Sequence, residues 1–372
     1  MPVVADREGG NLMYQVLREI KQGGKCPDKL LDAALDTDGY RFYLRFHRRM
    51  PEPFGPDEFR AMVRSLARCA GGPAEETGNR RLAGVRDRFL DGMRRLEEIG
   101  GCVGILDALP QAHWDQMESA ALSVLPAGTV LNTRIHYIMD GFNNGTAFEG
   151  EVSFDLLQTT PRSIREFELA LGAHELHHIG YSNRRAADQW RTVVQGNARS
   201  PLGCTLSIID TVVSEGIAQY YFTGAGFEEY LREVAAPDVA AKLVLAYKAM
   251  LENRSAKAGE LFASLERLLS IAGPIEPAYN RKVRLAWAHS EPGNPVPWAH
   301  VLGSLMIGLI DRCLGRTRVI ELVDRPEQLL AAYSDALKAC PGHPGAAAVA
   351  LPAGELPHPS ADLMARLAAA RS

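Results

Sequence analysis

The residues best equipped for chemistry lie at 174–178, which read H-E-L-H-H. Zinc is held by neutral imidazoles converging on one point, and a helix presents positions i and i+4 on one face. His174 and His178 have that spacing. Glu175, beside the first of them, can reach a water at the metal's open position and serve as general base. His177 is turned about 100° from its neighbour on a helix and is read as a structural or surface residue. His47, His113, His136, His343 and His358 have no ligand spacing.

These side chains need a helix to position them, and the surrounding sequence predicts one. From Ser163 the chain reads S-I-R-E-F-E-L-A-L-G-A-H-E-L-H-H-I-G-Y. Ile164, Phe167 and Leu171 recur at helical spacing, and His174 and His178 continue that apolar stripe. Ser163 with Glu166 makes a capping box after Pro161, and Gly180 is the expected stop.

A catalytic zinc site takes a third protein ligand. The candidate is Glu215, in T-V-V-S-E-G-I-A-Q-Y-Y. Ile208, Val212, Glu215 and Gln219 share one helical stripe, where a carboxylate is costly to bury unless paired or bound to metal. Gly216 adds no side-chain bulk beside it, which lets two helices approach closely around an ion. The ordinary alternative is a helix-face Glu in a salt bridge.

H-E-L-H-H followed, 37 positions after His178, by S-E-G-I-A-Q-Y-Y resembles the gluzincin group of zinc metallopeptidases. More narrowly, the chain resembles a set of uncharacterised bacterial proteins named for an unproven zinc-dependent peptidase activity. W-A-H-V-L-G-S-L-M-I-G-L-I-D-R-C-L-G-R, R-P-E-Q-L-L-A-A-Y and the early L-D-T-D-G-Y-R-F-Y fit that set as well. The resemblance implies one Zn2+ per chain held by His174, His178 and Glu215, with Glu175 as general base. Gluzincins often carry an acid four residues after the ligand Glu, where it orients a ligand His. Here Gln219 stands at that position, an uncharged partner whose amide oxygen could still accept an imidazole N–H.

Gluzincins also use a Tyr or His from a later helix to stabilise the oxyanion that develops on the scissile carbonyl. The candidates are His300 and His289. His300 is preferred because it opens the helical segment 297–313, with Tyr181, Tyr220 and Tyr221 as substitutes. In zincins a small sheet precedes the motif helix, and its edge strand pairs with extended substrate. Residues 144–148 could supply such an edge through the backbone of Gly145 and Ala147. The plain alternative is a structural hairpin.

Composition narrows the remaining classes. The 372 residues suffice for two modest domains or one large one. Lys and Arg number 41 against 45 Asp and Glu, a net charge of −4, with 46% hydrophobic and 23% charged residues. That balance gives no sign of disorder or of general nucleic-acid affinity. Arginine is dense between Arg41 and Arg95, but Asp87, Asp91, Glu97 and Glu98 interleave with it. A solvated helix face laced with ion pairs is expected, not nucleic-acid binding. No apolar stretch has the length of a spanning helix, and M-P-V-V-A-D-R-E-G-G is not a signal peptide. The six cysteines are scattered without C-x-x-C. Reduced thiols, a cytoplasmic location, no membrane partner and a peptide or protein substrate are the expectations. Oligomeric state is not legible.

Along the chain, segments 28–49, 57–70, 79–98 and 103–123 have helical periodicity. The period then changes: T-V-L-N-T-R-I-H-Y-I-M runs into D-G-F-N-N-G, and E-V-S-F-D-L follows, alternating at Val152, Phe154 and Leu156. This is a strand and hairpin signal. After residue 181 the pattern is helical again, at 205–222, 226–234, 237–253, 257–272, 297–315 and 325–339. The expected fold class is α+β and predominantly α-helical, with a zincin-like core, a small sheet before the motif helix and a helical C-terminal part. The expected division is a helical region 1–125, a metallopeptidase domain 126–340, and a Pro/Ala-rich tail 341–372 with a short terminal helix.

Three functions compete. The first is a zinc-dependent hydrolase acting on peptide bonds. The second is a zinc-binding regulatory or interaction protein of zincin fold that no longer hydrolyses peptides. The third is a di-iron helical bundle, since Glu175-x-x-His178 is also an E-x-x-H. That site needs a second such motif on a helix. The other occurrence, at Glu355 and His358, falls in a Pro-rich stretch.

Overall fold

Val, Ile, Tyr and Phe in alternation form strands wherever one or both faces can be covered. Here they make one small sheet in an otherwise helical chain. The computed structural model describes residues 3–69, 78–186, 199–235, 237–288, 294–340 and 356–369. The chain divides into two compact units: residues 1–119 with 131–179, and residues 120–130 with 180–372.

The first unit holds the sheet. Strand β1 (Val4–Asp6) leads into α1 (Glu8–Gly23), α2 (Asp28–Leu35), α3 (Asp38–Arg48), α4 (Pro56–Cys69), α5 (Arg80–Arg94), α6 (Leu96–Ala108) and α7 (Gln111–Leu122). Then come β2 (Arg134–Ile138), β3 (Gly145–Phe148), β4 (Glu151–Asp155), α8 (Pro161–Glu166) and α9 (Glu168–Ala186). The strand order is β1-β2-β4-β3, with β2 parallel to both β1 and β4 and β3 antiparallel to β4. The hairpin is therefore β3–β4. It turns at Glu149 and Gly150, whose φ angles of 49° and 84° suit a tight two-residue connection between right-twisted strands. Helix α1 lies close over β2, for a Cβ on Gly10 would meet the Tyr137 carbonyl oxygen at 2.5 Å. Tyr40 and Tyr43 on α3 donate their hydroxyls to the carbonyls of Met139 and Asp140, fixing the end of β2.

Segment 28–49 forms two helices instead of one. Thr37 caps the second, its hydroxyl accepting from the Tyr40 amide, and a capping side chain lowers the cost of interrupting a helix. The dense arginines are paired with acids as expected: Arg60 with Asp32 and Asp57, Arg64 with Asp28, Arg95 with Asp91 and Glu98. Strand β1 has no counterpart in the sequence reading. Three residues are too few to show a period, and it exists by pairing with β2.

The second unit is helical. It contains α10 (Pro201–Ala218), a π-helical turn at 219–223, α11 (Phe227–Val234), α12 (Pro237–Leu269), α13 (Pro277–Ala288), α14 (Trp298–Leu314), α15 (Arg316–Asp324), α16 (Leu329–Ala339) and α17 (Ala361–Ala369). Segments 237–253 and 257–272 join as the single 33-residue helix α12. The expected terminal helix is α17, whereas most of the Pro/Ala-rich stretch, with His343 and Glu355, lies outside the described residues.

The longest helix contact in this unit is between α10 and α14, and glycine makes it possible. A Cβ on Gly216 would stand 2.5 Å from the backbone carbon of Gly303, and one on Gly303 would stand 2.5 Å from the Gly216 Cα. At the far end of α14, Cys313 is disulfide-bonded to Cys340 just past α16, with Cα atoms 5.9 Å apart. This corrects the expectation of reduced thiols throughout: a separation of 27 residues conceals a contact between two packed helix ends. Among the described residues no helix is long and apolar enough to cross a membrane.

Candidate functional site

The H-E-L-H-H residues lie on α9, and the helix start differs from expectation. The cap is Thr160, which exchanges hydrogen bonds with Ser163 in a capping box, with Pro161 at the first helical position. A short helix runs to Glu166 and breaks at Phe167, whose φ is −123°. From Glu168 the chain is helical to Ala186, passing straight through Gly180. Gly180 is no stop because tertiary contacts carry the helix on: Tyr181 is buried with its hydroxyl on Asp210, and Arg185 pairs with Asp210. The first residue of α9 is held firmly. Glu168 is buried, accepts from the Tyr137 hydroxyl of β2, and lies 2.5 Å from His113 Nε2 of α7. An acid also suits the positive end of a helix.

His174 is buried, and Glu175 and His178 are half-buried. The two ring centroids of His174 and His178 are 4.9 Å apart, with their planes at 76°. His177 is completely buried.

Glu175 lies against strand β3. A Cβ on Gly145 would meet Glu175 Oε1 at 2.8 Å and its Cδ and Cγ at 3.2 Å. β3 is an edge of the sheet, and its register shows which backbone groups are open. The Asp155 amide donates to the Asn144 carbonyl at 3.1 Å, and Gly145 faces Phe154 across the pair. Antiparallel pairs alternate, so the N–H and C=O of Gly145 and Ala147 face away from β4. No strand among the described residues takes that side.

The loop entering β3 is held by two buried acids that sequence reasoning passed over. Asp155 accepts from the amides of Asp140, Gly141 and Leu157 and from the Gln158 side chain, at 2.9–3.0 Å. Asp140 accepts from the amides of Phe142 and Asn143. Burial raises both carboxyls above their ordinary values, and the neighbouring Asp155 raises Asp140 further, while the hydrogen bonds that Asp155 accepts partly offset its own rise. Asp140-Gly141 was legible as a turn; its partner fifteen residues on was not.

In the second unit, Glu215 sits on α10 with Ile208 and Val212 buried on its stripe. His300 occupies the first turn of α14, and its Nε2 lies 3.1 Å from Glu215 Oε2. Gln219 is buried in the π-helical turn, and its Oε1 accepts from the Thr223 hydroxyl at 2.8 Å. Two of the substitute donors are engaged, Tyr181 with Asp210 and Tyr220 with Asp311, whereas the Tyr221 ring lies beneath the Arg316 guanidinium. His289 lies outside the described residues.

The structure is thus a predominantly helical chain with one small sheet, in which α9 carries two imidazoles and a carboxylate on one turn. Residues 31–340 match the family described as "Putative zinc dependent peptidase (DUF5700)", and the chain belongs to that family. No curated protein and no solved structure matches it.

Proposed function

We propose that this chain is a zinc-dependent peptidase of zincin type, with His174, His178 and Glu215 as ligands of one ion and Glu175 as general base. The observation that carries this reading is the arrangement on α9: two imidazoles one turn apart with ring centroids 4.9 Å from each other, and the intervening carboxylate against Gly145 of an open strand edge. Family membership supports zinc and peptide chemistry. Zinc bound there supplies Lewis-acid chemistry, acidifying water and polarising the scissile carbonyl.

The chain's own residues do the rest. The outward N–H and C=O groups of Gly145 and Ala147 hold an extended peptide by strand addition. That places the peptide beside Glu175, which lies against Gly145. Glu175 takes a proton from the attacking water on a carboxylate oxygen and delivers it to the leaving amine nitrogen. Gln219 Oε1 accepts from the Thr223 hydroxyl, which stiffens the turn after Glu215, and its second lone pair is left in this reading for a ligand imidazole N–H.

The test combines metal content with turnover. Purified wild type should hold about one zinc per chain, and Glu215→Ala much less. A peptide-library screen should then find cleavage that Glu175→Gln lowers by about 10²- to 10⁴-fold, the usual worth of a general base. Zinc undiminished in Glu215→Ala would remove Glu215 from the ligand set. Zinc retained with no cleavage by wild type would leave a metal-binding protein without peptidase activity.

A further inference from the structure

Arginine does not shed its charge, and a guanidinium taken out of water is costly unless an acid accompanies it. Arg254 on α12 is such a group without the acid. The residue is only 4% exposed, and its Nε is sealed from solvent with no hydrogen-bond partner. No acid among the described residues pairs with it. We propose that Arg254 is a carboxylate-recognition site, its guanidinium completed by the carboxylate of a bound peptide. The peptide's being a substrate rests on the zinc-peptidase reading, to which this adds a chemical requirement.

Helical periodicity assigns this position to an apolar side chain. The buried stripe of α12 runs through Val244, Tyr247 and Met250, reaches Arg254, and goes on through Ala258, Leu261 and Leu265. An arginine that lends only its aliphatic stem to such a face keeps its head in water. Here the Nε, where the head begins, is closed off. Burial lowers the Arg254 pKa, and the Tyr247 hydroxyl is the group that acts against this, not a carboxylate. The terminal nitrogens make no hydrogen bond with the described residues either, yet they are not sealed, so the remaining exposure lies at the tip of the fork. That tip is the end that grips a carboxylate through two parallel N–H···O bonds.

The place of Arg254 along α12 ties it to the candidate site. Two turns earlier on the same face is Tyr247, whose hydroxyl is raised by burial and partly brought back by the Gln219 side chain beside it. One turn later the Lys257 ammonium lies over the Trp298 ring, 5.4 Å from its centroid. Gln219 follows Glu215 by one turn, and Trp298 opens α14 two residues before His300. Helix α12 thus reaches both segments that carry Glu215 and His300, with Arg254 between those two contacts. The anions a peptide brings are carboxylates, one at its C-terminus and one on each Asp or Glu, and the guanidinium fork suits either.

The experiment is retention of synthetic peptides by the full chain carrying Glu175→Gln, which keeps bound peptide intact. Three N-acetylated hexapeptide libraries are compared by mass spectrometry: free C-terminal carboxylates lacking Asp and Glu, C-terminal amides lacking both, and C-terminal amides with one Glu. A carboxylate library should be retained about 10- to 100-fold better than the amides lacking Asp and Glu, the usual worth of a hydrogen bond to a charged group. Which library it is tells the C-terminus from the side chain. Arg254→Met should abolish the preference, and Arg254→Lys, which keeps the charge but not the fork, should recover part of it. The melting temperature of Arg254→Met should not fall, because an apolar side chain of similar volume replaces an unpaired charge. No preference in the parent, or an equal preference in Arg254→Met, would overturn the proposal. A lowered melting temperature in Arg254→Met would overturn it too, since the chain itself would then be satisfying the guanidinium. Carboxylate peptides retained by a chain whose wild type holds no zinc and cleaves nothing would end the peptidase reading and leave Arg254 as a binding residue, a result distinct from these.

Discussion

Gly145 and Glu175 touch because one has no side chain. The backbone at Gly145 is not left-handed, so alanine is tolerated there by φ and ψ. The obstacle is the Glu175 carboxylate, 2.8 Å from where the methyl would go. Gly145→Ala should therefore displace the Glu175 carboxylate, the proposed general base, while leaving the fold and His174 and His178 untouched. Displacements of about an ångström cost on the order of 100-fold in rate. The check is kcat/KM on a cleaved peptide with zinc content measured in the same preparation. Full zinc with full activity would show that Glu175 does not act from this position. His174 and His178 differ from the other histidines in kind. His47, in contrast, is wrapped by Tyr43, Phe46, Phe54 and Phe142, and neither ring nitrogen has a hydrogen-bond partner among the described residues.

Among the helices, spacing is set by the smallest side chains. α10 and α14 meet at Gly216 and Gly303, and a methyl on either would press on backbone, which cannot turn aside as a side chain can. Gly303→Ala should cost about 3 kcal/mol, the upper range for overpacking, read as a lowered denaturation midpoint. Gly104, on α6, offers the control. Nothing lies within 4 Å of a Cβ built there, and it is in a helix interior. Gly104→Ala should stabilise by about 0.5–1 kcal/mol through helix propensity alone. Equal effects at the two positions would mean that α10 and α14 are not in backbone contact. The break at Phe167 belongs to this scale too. The capping box starts one short helix, and the buried Glu168 anchors the next, so the chain satisfies two fixed points instead of one continuous axis.

For the whole molecule the accessible observable is stability against pH. Burial, with a smaller push from Arg81, drives the His47 pKa from 6.5 down to about 3. Its folded pKa is depressed, so the unfolded chain binds the extra proton between those values. Stability from this group is complete above pH 6.5 and is lost as pH falls toward 3, by about 1.4 kcal/mol per pH unit. Asp140 and Asp155 have raised values, so their contribution runs the other way: present below pH 3.8 and lost as pH rises. Denaturant melts of wild type and His47→Phe between pH 4 and 7 isolate the first effect, since the acids are common to both. The variant should lose less stability on acidification, by one proton's worth of slope. Parallel curves would mean that His47 is not a buried neutral imidazole.

Much of the site's local geometry was legible because it depends on neighbours along one helix or strand. The apolar stripe from Ile164 through Leu171 predicts that H-E-L-H-H lies on a helix, and Val152 and Phe154 predict a strand, as found. Gly216 signalled a close helix approach, which the structure realises with α14. The partners themselves were not legible. That Gly216 would meet Gly303, that His300 would come within 3.1 Å of Glu215, and that Cys313 would bond Cys340 are contacts between segments 27 to 87 residues apart. The pairing of β1 with β2 and the parallel placement of β2 beside β4 were not legible either. Periodicity records which face of an element is buried, because each face repeats every 2 or 3.6 residues. It carries no record of what covers that face, which is decided by packing among all the elements at once. The sequence by itself determined the chemistry on offer: two imidazoles and a carboxylate on one turn of helix. Only the tertiary structure decided that the carboxylate of Glu175 would rest on a glycine at an open strand edge, and that His300 on one helix would come within 3.1 Å of Glu215 on another.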